Sequence, residues 1–148
     1  MTHEDQGMRI ASEARRGMPT KVKVAIVGLW LSVAIYGLGV ALMVGEALSK
    51  VEHGQDGAPV YLAGAAMVLV LVALLVVAAV LTMRGNRVGR GLAIGMELFL
   101  LFCAGLGTIG ALVSLDPVGI AIALVPVVIA TGVVWMLFAS DAREWFNR

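Results

Sequence analysis

Four long runs free of charged side chains, broken only once, constrain this chain more than any other feature. They are Val24 to Gly45, Gly57 to Met83, Gly91 to Leu115 with the single acid Glu97, and Pro117 to Ser140. A hydrocarbon layer about 30 Å thick is crossed by roughly 20 apolar residues in helical form. Backbone in lipid must also satisfy its own hydrogen bonds, which a helix does within one segment. The runs lack the in–out alternation of barrel strands, which excludes a β-barrel. The expected fold is therefore an all-α integral membrane bundle of four transmembrane helices, with spans at about 22–46, 59–83, 90–115 and 117–140. The 148 residues are expected to form one membrane domain, with tails at 1–20 and 141–148.

Composition agrees: 60% of residues are apolar and only 14% charged, with a mean hydropathy of +0.96, whereas soluble domains carry about a quarter charged residues. Basic residues are very unevenly placed. Arg9, Arg15, Arg16, Lys21, Lys23, Arg84, Arg87, Arg90, Arg143 and Arg148 all fall on one side of the four spans, and Lys50 alone on the other. Because Lys and Arg are retained in the cytoplasm, both termini are predicted inside. The first run of 22 residues is longer than the h-region of a signal peptide, so it is read as a span.

Boundary residues support these limits. Thr20 is predicted as an N-cap, Pro59 as a first-turn residue, and Asp116-Pro117 as N-cap and N1 of the fourth helix. The tight turn at Ser114 to Asp116 makes spans three and four an antiparallel hairpin. The N-terminal tail is expected to be mobile or to lie on the membrane surface. The C-terminal tail is expected to prolong the fourth helix, with Trp145 and Phe146 at the interface.

Helix association in lipid depends on close packing through small residues. Gly91 and Gly95 form a GxxxG pair in the third span, followed by Cys103, Gly107 and Ala111 at the same spacing, while the first span offers Gly37, Ala41 and Gly45. These stripes predict spans one and three at the bundle centre. The second span, rich in Val, Leu and Ala, is expected to face lipid. Pro126 cannot donate a backbone hydrogen bond, so a bend is expected there, freeing the carbonyl of Ile122.

Glu97 is the one charge inside a span. An acid at that depth is costly and should face the bundle or a cavity. Three readings stand open. Glu97 binds a proton or cation in a transport path, or it is held internally by Ser32, Tyr36, a backbone carbonyl or Arg90, or it pairs with a basic residue of another subunit. In the loop between spans one and two, Glu52, His53 and Asp56 make a poor metal site, lacking the His and Cys that Zn²⁺ prefers. Glu46 and Lys50 form an i,i+4 pair if the first helix projects beyond the lipid.

Missing chemistry is equally informative. Both histidines, His3 and His53, lie outside the spans, so intramembrane bis-histidine haem ligation is not available. The lone Cys103 cannot run thiol–disulfide exchange, no base lies near a membrane Ser, and no phosphate- or dinucleotide-binding glycine loop occurs. No cofactor, metal or nucleic-acid partner is expected, and no enzymatic activity.

The ending Trp135-Met136-Leu137-Phe138-Ala139-Ser140-Asp141-Ala142-Arg143-Glu144-Trp145-Phe146 is similar to the exit of small four-span membrane proteins of high-GC Gram-positive bacteria. The whole chain resembles that group in its Ala/Val/Leu/Gly-rich style. The resemblance implies a multi-pass protein of the bacterial plasma membrane. Small multidrug transporters differ in placing their acid in the first helix. Fluoride channels differ in the polar and aromatic residues that accompany their glycine-rich break, of which Gly105 to Gly110 is a faint echo. The expected role is an accessory or assembly subunit of a membrane complex, or a homo-oligomer. The alternative is a small proton- or cation-coupled transporter or channel using Glu97.

Overall fold

Long runs of Val, Leu, Ala and Gly become helices here because the helix pairs their backbone groups internally while their side chains meet lipid. The computed structural model describes residues 17–115 and 117–147. Within them lie α1 (Thr20–Glu52), α2 (Ala58–Met83), α3 (Arg87–Val113), α4 (Pro117–Phe138) and a short α5 (Ser140–Phe146). The first four are long and apolar enough to cross a membrane. Residues 1–16, Asp116 and Arg148 lie outside the described residues, and with them the expectations for the N-terminal tail, for the Asp116 cap and for those arginines.

Local chemistry sets the helix ends. The cap of α1 falls one residue earlier than expected: Pro19 is extended and its carbonyl accepts from Val22 and Lys23 at 3.0 and 3.1 Å, so Thr20 is already helical. α1 also continues past its apolar run to Glu52, which brings Lys50 Nζ to 3.5 Å from Glu46 Oε1. Gly57 takes a φ of +106° before α2, a conformation that L side chains rarely adopt. Pro59 occupies the first turn of α2. Asn86 Oδ1 accepts from Val88 N at 2.8 Å and caps α3.

Neighbours in sequence pack antiparallel, and α1 closes the ring against α4. The backbones of α1 and α3 therefore sit on a diagonal. The small-residue stripes predict these two helices at the bundle centre; in a ring of four they are no more central than α2 and α4. Short connections make α1–α2 and α3–α4 hairpins, and the ring of four then keeps α1 and α3 apart. α2 is not wholly lipid-facing either: Leu75, Ala78, Ala79 and Thr82 are buried.

The four-helix core occupies only one half of the bundle, beside the start of α1 and α5, termed the terminal end. It contains Val22, Ala25, Ile26 and Leu29 of α1, Leu75, Ala78 and Ala79 of α2, Ala93, Met96 and Leu100 of α3, and Val133 and Leu137 of α4. Towards the far end, no described residue of α3 beyond Leu100, and none of α4 before Ala130, is fully buried. There the burial is confined to Ala47, Ala58 and Ala65 along the α1–α2 hairpin.

The C-terminal tail does not prolong α4. The backbone turns extended at Ala139 (ψ 148°) and α5 folds back under the bundle. Phe146, expected at the interface, is 1% exposed and belongs to the core. Two arginines hold it there. Arg87 Nε and Nη2 donate to the carbonyls of Phe146 and Asn147 at 3.0 and 3.1 Å. Arg90 Nε donates to the Leu137 carbonyl at 3.0 Å, and its guanidinium lies 5.9 Å from the Phe146 ring centre. Burying a phenylalanine against the core outweighs solvating seven more residues as a helical extension. Arg90→Met is expected to lower the unfolding free energy in detergent by about 1–2 kcal/mol, the worth of one charge-assisted bond and a partly shielded cation–π contact. An unchanged thermal midpoint would show that α5 is held without it.

Candidate functional site

Glu97 is placed by the register of α3. Gly89, Ala93, Met96, Glu97 and Leu100 recur at helical spacing and form its buried face. Glu97 has no exposed surface, and neither carboxyl oxygen has a hydrogen-bond partner. Ser32 and Tyr36 face it from α1 across the bundle axis, Ser32 being buried and short of hydrogen-bond geometry with the carboxyl. Arg90 is turned to the terminal end and engaged with Leu137 and Phe146. Of the internal partners expected from sequence, Ser32 and Tyr36 are brought near, and Arg90 is not.

Depth gives this acid its context. Ser32, Leu75, Leu100 and Ala130 mark the far edge of the four-helix core, and Glu97 lies in that layer, about 15 Å along α3 from Arg87 at 1.5 Å per residue. Beyond it opens an apolar cleft of about 450 Å³ among α1, α2 and α4. Tyr36, Gly39, Leu42 and Met43 line one side, with Val68 and Ile122 opposite. Tyr36 is half-buried and belongs to both places, lining the cleft and facing Glu97. Pro126 lies inside a continuous α4, and Ile122, whose carbonyl it leaves without an in-helix donor, lines the cleft. On the terminal side, the apolar core and Phe146 separate Glu97 from the start of α1 and the outer side of α5.

The small-residue stripes lie elsewhere. Gly91, Gly95, Cys103 and Gly107 are exposed, as are Ala41 and Gly45, while Gly37 and Ala111 are partly exposed. A Cβ built at Gly37, Gly45, Gly91, Gly95 or Gly107 meets nothing within 4 Å. The close contacts are made by glycines that the spacing argument passed over. Gly28 packs on the Val133 methyl group. At Gly89 a Cβ would come within 2.5 Å of the Leu81 backbone and 2.7 Å of Thr82 N. Thr82 Oγ1, beside that contact, is buried without a partner, and sequence reasoning did not single it out.

Among the described residues no group of three His, Cys, Asp or Glu gathers to hold a metal ion. His53 is engaged at the end of α1, its Nδ1 lying 2.7 Å from the Ser49 carbonyl. The arrangement offers one buried carboxyl and, within electrostatic reach of it, a phenol that lines an apolar cleft. Those groups can hold and exchange a proton or a cation, and they supply no nucleophile–base pair. No protein-family model matches this chain, and no curated protein or solved structure matches it.

Proposed function

We propose that this chain is a non-enzymatic multi-pass membrane protein that moves a proton or small cation through Glu97. One observation carries the reading: an acid enclosed in the bundle, with both oxygens unpartnered, in the layer where the core gives way to a cleft. Intramembrane acids are costly to bury and are by default functional leads. Full enclosure also argues against a basic residue of a neighbouring subunit as the partner of Glu97. Lys21, Lys23, Arg84, Arg87, Arg90 and Arg143 cluster towards the terminal end, and the retention of positive charge supports a cytoplasmic side there, in a membrane that the resemblance above suggests is a bacterial plasma membrane. The cleft then faces outward and the plugged end inward. Purified full-length protein in liposomes should acidify the lumen under an imposed pH gradient, read by a trapped dye. Flux no higher than in protein-free liposomes would remove this reading.

A second reading rests on a different observation. The exposed faces of α1 and α3 carry Gly45, Gly91, Gly95 and Gly107 without any neighbour, and such surfaces suit helix packing in lipid. They support a homo-oligomer or an accessory subunit completed by another membrane protein. Purification in mild detergent, with mass spectrometry of retained proteins, decides it.

A further inference from the structure

Along the terminal half of the bundle, α1 and α4 meet in a seam whose outer side is furrowed. Val24, Val27 and Leu31 form one wall and Val128 and Met136 the other, around a volume of about 230 Å³. Gly132 lies in the furrow with open space where a Cβ would be. Towards the terminal end the furrow is followed by a second hollow of about 350 Å³, and there the lining changes character to Lys21, Ser140, Trp135, Phe138 and Ala139. From Lys21 to Leu31 the helix rises about 15 Å, half of a hydrocarbon layer about 30 Å thick.

We propose that this seam binds one anionic phospholipid of the leaflet at the terminal end, its phosphate beside Lys21 and Ser140 and one acyl chain in the furrow over Gly132. Furrow and hollow together span about one leaflet and end at a cation, with Trp135, 79% exposed, at the level where indoles settle between chains and headgroups. Lys21 Nζ already lies 3.0 Å from Asp141 Oδ2, and Ser140 Oγ donates to Asp141 Oδ1 at 3.1 Å. An ammonium has three donors, so Lys21 retains capacity for a phosphate. Asp141 competes for Lys21: the neighbouring ammonium and the Ser140 hydroxyl hold its carboxyl below the usual range, so it is ionised at neutral pH. At this end of the bundle as a whole Lys23, Arg84, Arg87 and Arg143 outnumber Glu144, and that field favours a net negative headgroup over a zwitterionic one.

The test is competition in the full chain. Protein is equilibrated with mixed micelles containing equal amounts of dioleoyl phosphatidylglycerol and dioleoyl phosphatidylcholine, and retained lipid is counted by native mass spectrometry. One phosphatidylglycerol per chain is expected in preference to phosphatidylcholine. Lys21→Gln should reduce that preference about five-fold, the worth of one lysine near an anionic surface, and Asp141→Asn should raise it. Gly132→Leu should displace the lipid by filling the furrow. Lys21 and Asp141 are both half-exposed, so their variants keep the fold even if the Gly132 variant does not. Equal retention of the two lipids overturns the proposal. So does a preference that Lys21→Gln leaves intact, or that Asp141→Asn lowers, as the loss of a merely structural ion pair would.

Discussion

Glu97→Gln is expected to reduce proton or cation flux to the level of protein-free liposomes while leaving a folded, membrane-inserted protein. Glutamine fills the same volume but cannot exchange a proton at neutral pH or neutralise a cation. Stability should move the other way. Both oxygens of Glu97 are buried and unpartnered, and a buried polar group left unsatisfied costs roughly 1–3 kcal/mol. Glu97→Leu should therefore raise the unfolding free energy by about that amount while abolishing flux, the trade expected where a site is kept at the expense of stability. A purely structural acid gives the reverse result, with both variants destabilised and flux following the amount of folded protein.

Gly89→Leu is expected to prevent the α2–α3 hairpin from closing. A Cβ at position 89 would lie 2.5 Å from backbone of Leu81, and backbone cannot rotate aside as a side chain can. Even Gly89→Ala should cost about 1–3 kcal/mol, the usual price of overpacking a tight contact. Gly91→Leu and Gly95→Leu, where nothing lies within 4 Å, should stay within about 0.5 kcal/mol of the parent in the monomer. Thermal unfolding in detergent separates the two classes, and size-exclusion chromatography shows whether Gly91 and Gly95 matter for association. Equal effects at Gly89 and Gly91 would mean that the face of α3 is misassigned.

That contrast shows where the sequence was legible and where it was not. The uncharged runs reveal all four helices and place α2 within a residue at both ends, because length and the absence of charge are strong constraints in lipid, whereas α1 runs six residues past its expected end and α3 starts three before its expected start. The phase of α3 was also written in the chain, in a different place from the GxxxG pair. Glu97 must point inward, and stepping back four residues at a time leads to Ala93 and Gly89, which are buried. Gly91 and Gly95 fall on the opposite side. A small-residue spacing shows that a face can pack, without saying against what. The turn at Ala139 left no comparable signal, because Ser140 to Phe146 reads equally well as a continued helix. Only the burial of Phe146 and the reach of Arg87 and Arg90 from α3 decide it. The cleft depends on where burial stops in all four helices at once, which no single segment records.

The most direct test of Glu97 as a site reached through the cleft is labelling by a hydrophobic carbodiimide, which adds to protonated carboxyls within membranes, with the modified residue located by peptide mass spectrometry. The expected result is an adduct at Glu97 that forms in the parent and is slowed by Ile122→Trp, a substitution that fills the cleft. Absence of an adduct at Glu97, or labelling that proceeds at the same rate with the cleft filled, would contradict the assignment.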